Sequence, residues 1–244
     1  MSEPALSVVI PARNDAEALG RTLDHLARLD GPDRFEVIVA AAGGRAETER
    51  AAAGRARLLW PGESTRARLL NAGAAVARGP ALLFLHADSL PPRDAVALID
   101  AALRRPETVG GAFEFLFAEP VWTLRLLTAM NRFRYRTTGN YYGDQGLFVR
   151  ADVFRRLGGF RDLALMEDID WSRRLRRAGH TVLIPTPVVT SGRRFLARGP
   201  WRTTAFCAWL LLLNTLRLDT ERYAERWRGP ADRPPGSAWP TAPR

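Results

Sequence analysis

Four short stretches hold side chains that could do chemistry. In LLFLHADSLPP (residues 82–92) an apolar run ends in His86-Ala87-Asp88. At a strand tip the pleat would put the imidazole and the carboxylate on one side. There they could share a divalent cation, with a diphosphate supplying further oxygens. An Asp that caps the next turn beside a packed His is the equal alternative. In Met166-Glu167-Asp168-Ile169-Asp170 two adjacent acids open a helix whose inner face carries Trp171, Leu175 and Ala178. The helix dipole favours carboxylates at that end. One acid suffices to cap, so the second is available to take a proton from an attacking hydroxyl. Thr65-Arg66-Ala67-Arg68 runs into Asn71-Ala72-Gly73 and sets two guanidinium groups and an amide at a helix start, where anions bind. Ser191-Gly192-Arg193-Arg194-Phe195 follows a strand, and guanidinium forks match phosphate oxygens two at a time. Taken singly, both basic stretches also read as solvated surface.

The elements that must position these groups alternate. Strands are expected at Leu6–Pro11, Phe35–Ala40, Leu58–Trp60 and Ala81–Leu85, each short and apolar. Helices are expected between them. The first starts at a capping-box-like Asn14 and Glu17 and runs to about Leu29. The others span Glu47–Ala56, Thr65–Ala77 and Asp94–Arg104. Four strand–helix alternations specify a doubly wound sheet that binds ligands at the carboxyl ends of its strands. His86 and Asp88 fall on that edge. The second half is less regular. Strands are expected at Gly110–Phe117, Leu147–Val149 and Thr181–Ile184. Helices are expected at Val121–Arg136, Asp152–Leu157, Asp168–Ala178 and Trp201–Leu218. Prolines and glycines crowd the chain from Gly229 onward, and this tail is expected to be disordered.

Composition narrows the class. The 244 residues carry 36 Lys plus Arg, all of them arginine, against 26 Asp plus Glu, for a net charge of +10. Such a surplus favours anionic partners, although a coding bias toward arginine produces the same count. The single cysteine, Cys207, excludes an internal disulfide and a thiolate metal site, which fits a reducing, cytoplasmic compartment. The start, MSEPALSVVIPARND, has no basic region ahead of its apolar run, so no signal peptide is expected. The apolar run near Ala205–Leu213 is shorter than the roughly 20 residues that span a bilayer. No P-loop, GxGxxG or GxSxG occurs, and basic residues do not interleave with aromatics as nucleic-acid modules require. No nucleic-acid partner is expected.

The motifs taken together resemble a known family. SVVIPARND, FEVIVAAAGG, STRARLLNAGAAVARGPALLFLHADSLPP, GDQGLFVRADVFRRLGGF and LMEDIDWSRRLRRAG occur in the order found in family 2 inverting glycosyltransferases of the GT-A fold. The likeness runs from about Leu6 to Phe195. It is nearest to a bacterial subgroup of arsenosugar-biosynthesis-type glycosyltransferases. The resemblance implies an α/β GT-A fold with a mostly parallel sheet flanked by helices. The glycosyltransferase domain would occupy residues 1–200 and a C-terminal helical extension residues 201–228, followed by the tail at 229–244. It also implies a nucleoside-diphosphate sugar donor, Mg²⁺ or Mn²⁺ as cofactor, and an acceptor the sequence does not name.

Roles carry over only where residues match. The family's acidic metal triplet falls on His86-Ala87-Asp88, so Asp88 would hold the cation. His86 replaces the usual first aspartate and would be a ligand or a ribose contact. The acid pair falls on Glu167-Asp168, with Asp168 as catalytic base. Pro11, Ala12, Arg13 and Asn14 match the loop that lines the nucleotide, and Arg66 and Asn71 match residues near the base and phosphates. Gly143, Asp144, Gln145 and Gly146 match the segment facing sugar or acceptor, and Arg194 the arginine that steadies the leaving diphosphate. There is one departure. Ala41 stands where the family places an aspartate that contacts the nucleotide, and Ala46 where a second acid is common. Losing one buried charged hydrogen bond costs roughly 1.5–3 kcal/mol, which points to altered donor recognition. That departure keeps a second class open, a non-catalytic nucleotide-sugar or lipid-phosphate binding protein. A nucleotidyltransferase is a third. The helix at Trp201–Leu218 is read as packed on the domain or, given the surplus of arginine, as a peripheral contact with an anionic inner membrane surface.

Overall fold

Strand β1 (Leu6–Arg13) is apolar on both faces, and the two faces feed different layers. Leu6, Val8 and Ile10 pack with α1 (Ala16–Leu26), α2 (Arg45–Ala52) and α4 (Ala95–Leu103). Val9 packs with α3 (Arg66–Ala75), α5 (Trp122–Thr138), α6 (Ala151–Arg156) and α7 (Glu167–Ala178). A strand with no solvent face has no need for polar alternation, which is why the sequence reads as one apolar run. These relations come from a computed structural model that describes residues 3–62 and 65–228. The tail at 229–244 lies outside the described residues.

The remaining strands are β2 (Phe35–Ala42), β3 (Arg57–Leu59), β4 (Ala81–Phe84), β5 (Ser89–Leu90), β6 (Thr108–Phe117), β7 (Leu147–Arg150) and β8 (His180–Thr190). They form one sheet in the order β3-β2-β1-β4-β7-β6-β8-β5. The pairs β1–β2, β2–β3, β1–β4 and β6–β8 are parallel. β7 runs against both β4 and β6, and β5 runs against β8. The expected mostly parallel sheet flanked by helices is what the chain forms. The two reversed strands matter for function. Because β7 is reversed, the turn that precedes it lies at the same edge as the carboxyl ends of β1, β2, β4, β6 and β8.

Several expectations change. No side-chain cap forms at the start of α1. Asp15 is the N-cap, and Asn14 takes a left-handed φ of 50° and packs on the Gly43-Gly44 turn. β8 does not stop at Ile184. It continues through Pro185 and Pro187 to Thr190, with the register shift to β6 falling between Phe113 and Glu114, so the prolines sit where the ladder is already irregular. β4 ends at Phe84, so His86-Ala87-Asp88 lies in a turn and the pleat does not align its side chains.

Beyond β8 the chain adds α8 (Arg193–Arg198), α9 (Pro200–Thr215) and α10 (Ala224–Arg228). α9 buries only Thr203, Leu210 and Leu213. It rests on a small cluster built from Leu165, Leu210 and Ala224, with Phe206, Tyr223 and Trp227 around it. No described helix is long and apolar enough to cross a membrane.

Candidate active site

Helix α3 lies directly on β1. A Cβ at Gly73 would collide with Val9, so the glycine sets how closely the helix approaches. That seating projects the first turn of α3 past the end of the sheet. Thr65 caps the turn by accepting a bond from the Arg68 amide (3.2 Å), and Arg66 reaches into the carboxyl edge. Its guanidinium meets three groups there. It donates to Glu167 Oε1 (2.6 Å), lies 4.0 Å from Asp168 Oδ2, and contacts His86 Nε2. Gly143 closes the cluster. A side chain on it would strike the Arg66 guanidinium and His86 Nε2, so the backbone of the turn before β7 sits against both.

Asp168 is held by backbone. The Gly143 N–H donates to Oδ2 and the Ile169 N–H to Oδ1, both at 2.8 Å. Each oxygen keeps a lone pair free for a proton. Glu167 is 4% exposed, and burial raises its pKa despite Arg66 beside it. The two adjacent acids therefore divide the work. Glu167 anchors Arg66, while Asp168 faces the turn at Gly143. His86 is half-buried, and loss of hydration, with Arg66 and Arg194 nearby, pushes its pKa well below the usual histidine value. It stands as a neutral ring facing a guanidinium.

The second group centres on Arg193, just after β8. Its Nη1 donates to Asp15 Oδ1 (3.1 Å), and its Nη2 contacts Asp15 Oδ2 and lies 3.4 Å from Asp88 Oδ2. Thr22 of α1 ties the backbone of the same turn through the Ala87 carbonyl (2.8 Å). Antiparallel pairing of Ser89 with Thr190 brings the turn against the start of α8. Burial raises the pKa of Asp88, and Asp15 raises it further, against the lowering by Arg193 and Arg194. Arg194 stacks on the Trp227 ring, 4.7 Å from its centroid, and its charge reaches both His86 and Asp88.

Asp144 links the two groups. Its Oδ1 is shielded from solvent and has no hydrogen-bond partner among the described residues. Burial pushes its pKa up to about 7; Asp168 adds to the rise, and Asp88 contributes as well. Both acids therefore lie within electrostatic reach of the same carboxyl. Tyr142, under Arg134 (3.7 Å to the ring centroid), and Cys207 of α9 border it. Burial raises the Cys207 thiol to about 12, with Asp144 and Asp168 adding to the shift.

Other expected residues take structural positions. Gln145 is fully buried and spends its amide on the Tyr142 N–H (2.9 Å) and the Phe113 carbonyl (3.1 Å). Gly146 takes a φ of 61° where the chain turns into β7. Both ends of the Asn71 amide pair with the Phe160 backbone (2.8 and 2.9 Å). Pro11, Ala12, Arg13 and Asn14 form the end of β1 and its loop, with Ala12 paired to Ala41 in β2. Ala41 is 1% exposed, a methyl inside the core. Asp15, Arg134, Tyr142 and Trp227 were not foreseen. Only Asp15 carried a signal, an acid directly after the first strand's loop.

No cluster of three or more His, Cys, Asp or Glu placed to hold a metal occurs among the described residues. The donor set nevertheless fits a cation that takes most of its ligands from a diphosphate, since Mg²⁺ binds through one or two carboxylates plus phosphate oxygens. Asp88 offers such a carboxylate, whereas Nε2 of His86 is engaged with Arg66. A separate groove of about 770 Å³, lined by Leu23, Phe35, Arg55, Arg57 and Arg78, opens at the amino ends of β2 and β3, away from these acids.

Known structures share this architecture. The mannosyltransferase PcManGT from Pyrobaculum calidifontis, solved in complex with GDP-Man and Mn²⁺, superposes with a TM-score of 0.58 at 23% identity, over 78% of this chain and 58% of that one. TarS 1-349 of S. aureus superposes with a TM-score of 0.58 at 15% identity, over 76% of this chain and 60% of that one. The chain thus spans less than two thirds of either, and at these identities the likeness is one of fold. No curated protein matches the sequence. A family model does match, over residues 7–157, which take in every strand from β1 to β7 and the turns that carry His86, Asp88 and Asp144, and by that match the chain belongs to glycosyl transferase family 2.

Proposed function

We propose that this glycosyltransferase moves a sugar from a nucleoside-diphosphate sugar to an acceptor hydroxyl with inversion, and that Asp168 is its base. One observation carries the reading. Asp168 is fixed by two backbone N–H groups at the carboxyl edge and lies 4.0 Å from Arg66, whose guanidinium also contacts His86 in the turn that carries Asp88. The acceptor O–H gives its proton to Asp168 as its oxygen bonds the anomeric carbon from the face opposite the diphosphate. The bond from that carbon to the diphosphate breaks, and the nucleoside diphosphate leaves with the electron pair. Arg194, stacked on Trp227, and Arg193 are placed to meet charge on that leaving group, where fixed electrostatics contribute most. A Mg²⁺ or Mn²⁺ held by Asp88 would supply further positive charge to the diphosphate. Arg66, set by Glu167 and His86, lines the donor side, and Asp144 has an oxygen free to accept a sugar hydroxyl.

The bound GDP-Man and Mn²⁺ of PcManGT are the kind of donor and cation expected here. Ala41 favours one further reading, donor binding without turnover, because no carboxylate stands at that point of β2. Reaction with a panel of nucleoside-diphosphate sugars and simple acceptors, with Mn²⁺, separates the two. Slow donor hydrolysis or transfer, with the product anomer inverted by NMR, is the expected result. Calorimetric donor binding with no released nucleotide for any acceptor would leave only the binding module. A reducing, cytoplasmic location is part of the proposal, supported by the single cysteine.

A further inference from the structure

Helix α5 is apolar on two sides. Its inner side buries Leu124, Leu127 and Tyr135. Its outer side carries Trp122, Leu126, Met130 and Phe133, which are 67, 42, 49 and 73% exposed. Their spacing of four, four and three residues makes one stripe along the helix. A helix packed on a domain normally turns charged and polar groups to that side. α9 repeats the pattern. Trp201, Trp209 and Leu212 are 49, 46 and 48% exposed at matching spacing, and Leu216 just after the helix is 58% exposed. The Trp122 and Trp201 rings meet, 6.4 Å between centroids, so the two stripes share an edge. A contiguous apolar surface of this kind marks an interaction site.

We propose that the α5–α9 face docks on an anionic lipid bilayer. Two features choose lipid over protein. Three tryptophans, Trp122, Trp201 and Trp209, stand exposed on it, and the amphipathic indole is the side chain that settles at the headgroup level. Around them Arg125, Arg202 and Arg217 are exposed and form no ion pair among the described residues, whereas Arg132 is drawn inward to Glu114 (2.6 Å). A second copy of the chain would bring two such cationic rims together under a net charge of +10 per chain, which opposes self-association. A negative surface accepts both the rings and the guanidinium groups. No described helix is long and apolar enough to cross a membrane, so the contact proposed is peripheral. α5 leads through Gly139 into Tyr142 and Gly143, and α9 carries Cys207 beside Asp144 and Asp168. The docked face thus adjoins the site, and the acceptor would meet the enzyme at the membrane surface.

Sedimentation with vesicles tests this without any substrate, so its outcome is independent of the transfer reaction. The full chain should bind phosphatidylglycerol-containing vesicles at low salt, bind phosphatidylcholine vesicles far less, and release at high salt. The triple variant Trp122→Ser, Phe133→Ser, Trp209→Ser changes only exposed side chains. It should keep its circular dichroism and lose about tenfold or more in vesicle affinity. Replacing Arg125, Arg202 and Arg217 with alanine should cost about fivefold per arginine on anionic vesicles and leave neutral ones unchanged. No binding of the parent protein at low salt would overturn the proposal, as would parent-like binding by the triple variant. A parent dimer by light scattering that the triple variant converts to monomer would overturn it too, by assigning the face to a second copy.

Discussion

Two arginines gather acids at the same edge of the sheet, and they hold them by different means. Arg66 works in a closed cluster. Its partner Glu167 has 6% of its side chain exposed, Asp168 has 14%, and backbone N–H groups fix Asp168 independently of the arginine. Arg193 works in an open one. Asp15 and Asp88 keep 24 and 18% of their side chains exposed, and among the described residues the contact that joins them is the shared guanidinium. A proton acceptor gains from fixed geometry, because misplacement by an ångström is costly in rate. A carboxylate that must exchange a guanidinium for a cation and a diphosphate gains from being held loosely. The difference matches the two roles proposed, base at 168 and cation holder at 88.

The largest effect should come from breaking the closed cluster at its reactive member. Asp168→Asn keeps the shape and one of the two backbone bonds, because its amide nitrogen cannot accept the other, and it cannot take a proton. We expect kcat to fall by about 10²–10⁴-fold, with donor affinity by calorimetry nearly unchanged. Turnover at the parent rate would remove Asp168 from the chemistry. The open cluster should respond in the opposite parameter. Asp88→Asn is expected to weaken metal-dependent donor binding by roughly ten- to a hundredfold, the worth of one charged hydrogen bond. Chelation of divalent ions should reduce the parent to a similar level. If chelation changes nothing while Arg193→Ala abolishes donor binding, the guanidinium between Asp15 and Asp88 does the cation's work by itself.

The contrast also separates what the sequence could tell from what it could not. Apolar runs at Leu6, Phe35 and Ala81 and the breaks after them were legible, because strands buried on both faces and turns at glycine and proline are local matters. His86, Asp88, Glu167 and Asp168 were legible as residue types able to do chemistry, but their partners were not. Arg66 meets Glu167 across 101 positions and Arg193 meets Asp15 across 178, and no spacing rule reaches that far. The reversed direction of β7 was equally hidden, since a four-residue strand reads the same in either sense. Asn71 misled for a similar reason. An amide near two arginines looked ready for an anion, yet its pairing with Phe160 depends on a loop 89 positions away.

A smaller effect tests the carboxyl between the clusters. The pKa of Asp144 is raised from 3.8 to about 7, so in the folded protein it keeps a proton that the unfolded chain has released between those values. Stability therefore falls as pH rises through that window, by an amount of order a few kcal/mol once pH passes 7. Glu167 and Asp88, also raised, add to the same slope. His86, lowered, opposes it only below its ordinary value of 6.5. Asp144→Asn removes one contributor. With a chelator present, urea midpoints should converge between variant and parent near pH 4 and separate in the variant's favour at pH 8. Parallel curves would mean that the Asp144 carboxyl is not the link.

The smallest effect probes how far the open cluster extends. Trp227 lies beyond the stretch matched by the family model and beyond β8, yet its ring carries Arg194, whose charge reaches Asp88 and His86. The ring is itself held, stacked on Phe206 of α9 (6.2 Å, 25° between planes), while its carbonyl accepts from Arg198 Nη1 (2.8 Å). A guanidinium over an indole at this exposure is worth about 0.5–1 kcal/mol. Trp227→Ala should therefore raise KM for the donor by about three- to fivefold and leave kcat alone, because the arginine is released and not removed. Trp227→Phe keeps a ring and should restore most of the loss. A change confined to thermal stability, with KM unmoved and no difference between Ala and Phe, would mean that the ring only anchors α10. A fall in kcat as deep as that of Asp168→Asn would mean that the two clusters act as one, since releasing an arginine from the loose side would then have displaced the base on the rigid side.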